Sequence, residues 1–235
     1  MLAHRLPVQV LLYDPALNEP KDLSMTPSDA SIQAAKICEL APVVPVLVVK
    51  DTSKARGLAE ALVAGRLPAL EVTLRTPQAL DVIREMAAVE GGVVGAGTLL
   101  TPQDVAAAKE AGAKFGVSPG ATQTLIDACM DHELPLLPGA ATATEAMRLL
   151  ELGFTVQKFF PAEASGGVPA LKAIGAPIPQ VRFCPTGGVT PQNAPEYLAL
   201  SNTICCGGSW VAPGDNVASS DWAAITDLAR AASKL

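Results

Sequence analysis

Residues 155–162 read Thr155-Val156-Gln157-Lys158-Phe159-Phe160-Pro161-Ala162, a β-branched and aromatic run closed by a proline, which is the pattern of a short strand. With a side-chain period of two, Val156, Lys158 and Phe160 share one face of that strand. A lysine between two apolar groups has three outcomes. Its stem is buried while its head reaches water, or it pairs with a carboxylate, or it gives up its proton and becomes a nucleophile. The last outcome is the chemistry of Schiff-base enzymes.

Runs of the same kind recur along the chain. They cover 43–49, 69–74, 93–98, 115–119, 134–138, 155–160, 181–186 and 204–210, and their starts are spaced by 26, 24, 22, 19, 21, 26 and 23 residues. Each interval holds one strand, one alanine-rich amphipathic helix and two short loops. Eight such units predict an α/β fold, a closed (β/α)8 TIM barrel, in preference to an open doubly wound sheet. An open sheet would carry a G-x-G-x-x-G turn after its first strand, where the chain has Val49-Lys50-Asp51-Thr52. Gly95-Ala96-Gly97 lacks the third glycine of that motif and reads as a strand end where side chains must be small.

Thr26-Pro27 offers an N-cap and a first-turn proline, so an additional N-terminal helix precedes the barrel. Thr76-Pro77, Thr101-Pro102 and Thr190-Pro191 suggest the same kind of helix start after three of the strands. Residues 1–25, with Pro7, Pro15 and Pro20 and no periodicity, read as a loose N-terminal extension upstream of a start at Met25. Residues 26–235 then form a single barrel domain, within the length such domains occupy.

Hydrophobic residues make up 49% of the 235 and aromatics only 4%, so the interior is filled by Ala, Val, Leu and Ile, as in layered parallel strands. A net charge of −6 without a basic run argues against nucleic acid or an anionic membrane as partner. An anionic small substrate must therefore be drawn by local groups. The five cysteines are odd in number and two are adjacent, which suits reduced thiols and a cytoplasmic protein. Residues 6–13 are too short to span a bilayer and lead to no small-residue cleavage site.

In such barrels the working groups sit at the carboxyl ends of the strands. Glu71, Thr73 and Arg75 alternate with Val72 and Leu74, which puts three polar groups on one face of an otherwise apolar strand. They are either an internal Glu71–Arg75 ion pair that fills the barrel or working groups, and buried ion pairs are weak stabilisers. Glycine-rich turns follow the seventh strand, Thr186-Gly187-Gly188, and begin within the eighth, Gly207-Gly208-Ser209. These are the two places where barrels commonly bind phosphate, because backbone N–H groups can approach the oxygens unobstructed. Only His4 and His132 are present, so no three-histidine metal site can be built, and no G-x-S-x-G elbow occurs. Lys158 is the strongest nucleophile candidate. Its rival at a strand end, Lys50, is followed at once by Asp51 and fits a solvated turn.

The stretches 71–76, Glu-Val-Thr-Leu-Arg-Thr, 95–98, Gly-Ala-Gly-Thr, 158–163, Lys-Phe-Phe-Pro-Ala-Glu, and 182–188, Arg-Phe-Cys-Pro-Thr-Gly-Gly, closely resemble the 2-keto-3-deoxy-6-phosphogluconate (KDPG) aldolases, a class I family that includes 4-hydroxy-2-oxoglutarate (KHG) aldolase. The resemblance runs from about residue 27 to the C-terminus. It implies a homotrimer of barrels, without metal or cofactor, that cleaves the phosphorylated keto acid of the Entner–Doudoroff pathway to pyruvate and D-glyceraldehyde 3-phosphate through a lysine imine. It puts the imine on Lys158 and proton transfer on Glu71. Arg75 and Thr98 fall where the family holds the pyruvate carboxylate and nearby oxygens, Phe160 where it lines the pocket, and Thr186, Gly187, Gly188 and Ser209 where it holds phosphate. Gln157 departs from the family pattern but points away from Lys158. An aldolase for the unphosphorylated substrate or for the 6-phosphogalactonate epimer, and a non-catalytic phosphosugar-binding barrel, are the alternatives.

Overall fold

The computed structural model describes residues 25–235, so the expected extension lies outside the described residues apart from Met25. The elements run α1 (Pro27–Cys38), β1 (Val43–Leu47), α2 (Ala55–Ala64), β2 (Ala69–Thr73), α3 (Ala79–Ala87), β3 (Val93–Gly97), α4 (Pro102–Glu110), β4 (Gly116–Val117), α5 (Gln123–Asp131), β5 (Leu136–Leu137), β6 (Gly139–Ala140), α6 (Ala143–Leu152), β7 (Val156–Phe159), α7 (Gly167–Gly175), β8 (Arg182–Pro185), α8 (Ala194–Leu198), β9 (Cys206–Gly208), α9 (Gly214–Ser219) and α10 (Trp222–Ala232).

All named strand pairs are parallel, in the orders β5-β4-β3-β2-β1-β9 and β6-β7-β8. Two junctions close the ring. Bridges Phe183–Thr203 and Thr186–Gly207 join β8 to the β9 segment, and Ile204 N–H donates to Phe183 O at 2.9 Å. On the other side β5 runs straight into β6 through Pro138. The expected fifth strand is thus one strand broken by a residue with no N–H to give; its first half pairs with β4, its second with β7. Pro138 still accepts from Lys158 N–H at 2.8 Å, so the break leaves the lysine's strand anchored. The closed barrel is therefore observed and the open sheet is not.

The helix-start pattern holds at Thr26 and Thr101, each of which makes a reciprocal capping box with Asp29 and Asp104. At Thr76 and Thr190 it does not. The Thr76 hydroxyl donates to Val49 O at 2.8 Å, and α3 begins only at Ala79; Thr190 pairs with Asn193 in a turn, and α8 begins at Ala194. In both cases the threonine ties a loop to a neighbour before the helix starts.

The inward residues are small or polar near the carboxyl ends and apolar below. Val44, Ala69, Phe115, Val117, Leu137, Val156, Cys184 and Cys205 form the lower interior, and Ala34 and Cys38 of α1 pack onto it. Helix α1 closes the amino end of the barrel. Its Ser31 hydroxyl accepts from Thr155 N–H at 2.9 Å and Val156 N–H at 3.1 Å, which satisfies the free donors at the start of β7. On the outer face of β7, buried Gln157 donates to Ala146 O and Phe154 O, each at 3.0 Å, pointing away from Lys158 as expected. The strand that carries the lysine is thus fixed at its start, its middle and its outer face. None of the described helices is long and apolar enough to cross a membrane.

Candidate active site

Lys158 projects into the barrel and is buried, with its Nζ 3.1 Å from Glu71 Oε1. The two side chains are 7% and 4% exposed, so the solvated-lysine reading fails and the pairing is internal. The Glu71–Arg75 pair does not form either. Arg75 lies past the end of β2, exposed, and its Nε donates to Thr73 Oγ1 at 3.3 Å. Thr73 in turn donates to Leu47 O at 2.8 Å. This hydroxyl, buried and shared between two strands, sets the direction of Arg75, a role that alternation along one strand does not reveal.

Room for Glu71 comes from a missing side chain, since a Cβ on Gly97 would sit 2.3 Å from Glu71 Oε1. Gly139, the register neighbour of Lys158, makes room instead for backbone, since a Cβ there would sit 2.2 Å from Pro119 O. The Phe160 ring lies above the lysine, its centroid 5.3 Å from Nζ, within range of a cation–π contact. Thr98, directly after β3, has φ +63, an uncommon backbone for a threonine. Lys50 is exposed, and Asp51 beside it caps a single 3-10 turn by accepting from Ser53 N–H, in keeping with a solvated turn.

The turns after β8 and in β9 adjoin each other through the Thr186–Gly207 bridge. Thr186 is buried, and glycine at 207 leaves space for its hydroxyl, since a Cβ there would lie 2.2 Å from Thr186 Oγ1. Gly187 and Gly188 have φ +99 and +80, the left-handed region that glycine alone adopts cheaply. Among the described residues neither of their N–H groups finds an acceptor. Ser209 is exposed at the end of the neighbouring strand. Two unclaimed donors and a nearby hydroxyl can hold an anion.

The five cysteines are free and buried. Burial pushes the Cys129 thiol up to about 12 and the Cys206 thiol higher still. Cys205 is raised by its thiol contacts with Cys184 and Cys38, while Cys184 is lowered, first by the Cys205 thiol and then by the charge on Lys158. Cys184 is the register neighbour of Lys158 on β8 and is buried. The site therefore has one amine and one carboxylate in contact, an arginine and threonines at the rim, and a donor-lined turn across the mouth. An amine with a carboxylate at hydrogen-bond distance can form a carbinolamine and move protons.

Residues 34–228 match the family model "KDPG and KHG aldolase". The 2-dehydro-3-deoxy-phosphogluconate aldolase of Pseudoalteromonas atlantica is 53% identical over 192 residues, 81% of this chain and 89% of that protein. The crystal structure of the 2-keto-3-deoxy-6-phosphogluconate aldolase of Zymomonas mobilis with 3-phosphoglycerate superposes with a TM-score of 0.83 at 50% identity, covering 86% of this chain and 96% of that one. The KDPG aldolase of Legionella pneumophila, with pyruvate captured at low pH as a covalent carbinolamine intermediate, gives 0.83 at 44% identity, covering 86% and 98%. The matched span holds every site residue described above, and on it the chain belongs to the KDPG and KHG aldolase family and is a carbon–carbon lyase.

Proposed function

We propose that the protein is a metal-independent class I aldolase that cleaves 2-dehydro-3-deoxy-6-phosphogluconate to pyruvate and D-glyceraldehyde 3-phosphate, the aldol step of the Entner–Doudoroff pathway. The observation that carries this reading is the Lys158–Glu71 contact of 3.1 Å inside the barrel. A buried ion pair is a poor device for stability, and in barrels of this kind the working groups sit at the carboxyl ends of the strands.

Glu71 accepts a proton from the Lys158 ammonium, and the free amine adds to the C2 carbonyl carbon. Glu71 returns that proton to the carbinolamine hydroxyl, which leaves as water, and the protonated imine that forms draws electrons from the C3–C4 bond while Glu71 is again a carboxylate. Glu71, directly or through a water, takes the C4 hydroxyl proton as that bond breaks, and glyceraldehyde 3-phosphate leaves an enamine behind. Returning the proton to C3 and adding water to the imine releases pyruvate and restores Lys158. Arg75 and Thr98 hold the keto-acid carboxylate and its neighbouring oxygens, and Phe160 covers the imine. Thr186, Gly187, Gly188 and Ser209 hold the phosphate, mostly by neutral hydrogen bonds.

The same reading makes the protein a cytoplasmic homotrimer that takes no cofactor and binds neither nucleic acid nor membrane. Light scattering in solution measures the trimer. For the chemistry, pyruvate with borohydride traps a stable adduct on Lys158 and abolishes activity. An adduct on Lys50, or none, removes the imine mechanism. Pyruvate release from the two 6-phosphate epimers and from 4-hydroxy-2-oxoglutarate then decides the substrate.

A further inference from the structure

Tyr197 is the largest fully buried side chain of the described residues, and neither the fold nor the chemistry above uses its hydroxyl. It stands on the short helix α8, and that hydroxyl donates to Glu163 Oε1. Burial first, and the Glu163 carboxylate second, hold the phenol far above its ordinary pKa, so it remains a donor at every working pH. Glu163 itself is exposed, two residues beyond Pro161 in the loop that leaves the Lys158 strand.

That loop is sewn to the glycine turn. Ala162 N–H donates to Thr186 O at 2.8 Å, and Glu163 N–H donates to Gly187 O at 3.0 Å. The Glu163 side chain then lies against Gly188 so closely that a Cβ there would be 2.6 Å from Glu163 Cγ. On the far side of the turn Asn193 Nδ2 donates to Gly188 O at 3.2 Å. Both carbonyls of the glycine pair are thus occupied from outside, and the conformation leaves the two N–H groups free. A carboxylate this close to an anion site is a hazard, since like charges at short range oppose binding. The phenol draws the Glu163 oxygen onto a buried donor.

We infer that Tyr197 is a positioning residue for phosphate: through Glu163 it fixes the Gly187-Gly188 turn with its N–H groups presented and keeps the nearby carboxylate turned away from the anion. This rests on the phosphate reading of that turn given above. Neither residue touches the substrate, and Lys158 chemistry with an unphosphorylated keto acid does not depend on them.

The test uses the full-length enzyme, the phosphorylated substrate, inorganic phosphate as inhibitor, and pyruvate–borohydride trapping. Tyr197→Phe is expected to raise KM for the substrate by about tenfold, the size of one charge-assisted hydrogen bond, and to weaken inhibition by phosphate equally. The trapping rate with pyruvate, and kcat, stay near native values. Glu163→Gln retains an acceptor for the phenol without the charge and keeps KM within about twofold, whereas Glu163→Ala behaves like Tyr197→Phe. If Tyr197→Phe does not fold, the two Glu163 variants carry the same comparison. An unchanged KM and phosphate inhibition in Tyr197→Phe and Glu163→Ala, alongside a raised KM in Ser209→Ala, overturns the inference and leaves the phosphate site standing. Trapping that falls as far as cleavage makes Tyr197 a structural residue only. A native enzyme insensitive to phosphate, with Ser209→Ala also silent, removes the phosphate reading and this inference with it.

Discussion

Gly97 and Glu71 occupy one volume between them: a Cβ on the glycine of β3 would fall 2.3 Å from the Oε1 of the glutamate on β2. The same oxygen is the one that meets Lys158 Nζ. Glycine at the end of β3 is therefore the space in which the carboxylate sits, and the smallest side chain there pushes Glu71 off its line to the lysine.

Gly97→Ala is accordingly expected to lower kcat by about 10²-fold, the range for misplacing a general acid–base group. Overpacking of a filled interior costs about 1–3 kcal/mol in stability as well, which a denaturant melt measures. A variant that keeps native kcat at that position separates Glu71 from proton transfer.

Glu71→Gln keeps the shape and an acceptor oxygen for Lys158 but cannot take a proton. Exchange of the pyruvate methyl protons, followed by NMR in deuterated water, is expected to slow by about 10²-fold or more, and aldol cleavage with it. Borohydride still traps pyruvate on Lys158 at long times, since water can remove the ammonium proton more slowly. Native-like exchange would reduce Glu71 to a neutralising partner of the lysine.

Much of this site was legible in the chain because its signals are local. The eight apolar runs at near-even spacing give the barrel, and strand alternation puts Lys158 and Glu71 inward. What alternation along one strand cannot give is which inward groups meet. Glu71 and Lys158 are 87 residues apart and touch across the barrel, while the nearer candidate, Arg75, passes the strand end into solvent. Pro138 divides a run that reads as continuous, because a missing N–H changes pairing without changing hydrophobicity. Thr76 and Thr190 look like Thr26 and Thr101 in sequence; what differs is a carbonyl of another strand, or an asparagine three residues on, within reach. Tyr197 gave no signal at all, since one tyrosine in a five-residue helix reads as ordinary core.

Helix α6 follows β6 directly, and its start is held by Glu145, which accepts from Ala141 N–H and Thr142 N–H, each at 2.9 Å. The bond from Ala141, the largest cause, lowers the Glu145 pKa below the ordinary carboxylate value. A depressed folded-state pKa adds stability that is present above the unfolded value and lost as pH falls through the folded one. The Tm of Glu145→Gln is therefore expected below native at pH 7, with the gap closing as the pH drops below about 4, near the unfolded glutamate value. A gap that is constant with pH assigns the effect to side-chain packing. Thr142→Ala, which removes the other half of the capping box, costs about 1 kcal/mol.

Substitution at Gly188 separates two ways of damaging the phosphate turn. Valine there meets a backbone at φ +80 that branched residues avoid, and its Cβ would collide with the Glu163 side chain before any ligand is present. Gly188→Val is thus expected to be harsh through the turn itself, losing stability and raising KM for the phosphorylated substrate together. Ser209→Ala deletes only an exposed hydroxyl, so its KM for the phosphorylated substrate rises by several-fold, about the size of one neutral hydrogen bond, while its melting curve and its trapping with pyruvate stay native. If Ser209→Ala impairs trapping as much as cleavage, the hydroxyl is supporting the barrel mouth near Lys158, and the phosphate lies elsewhere.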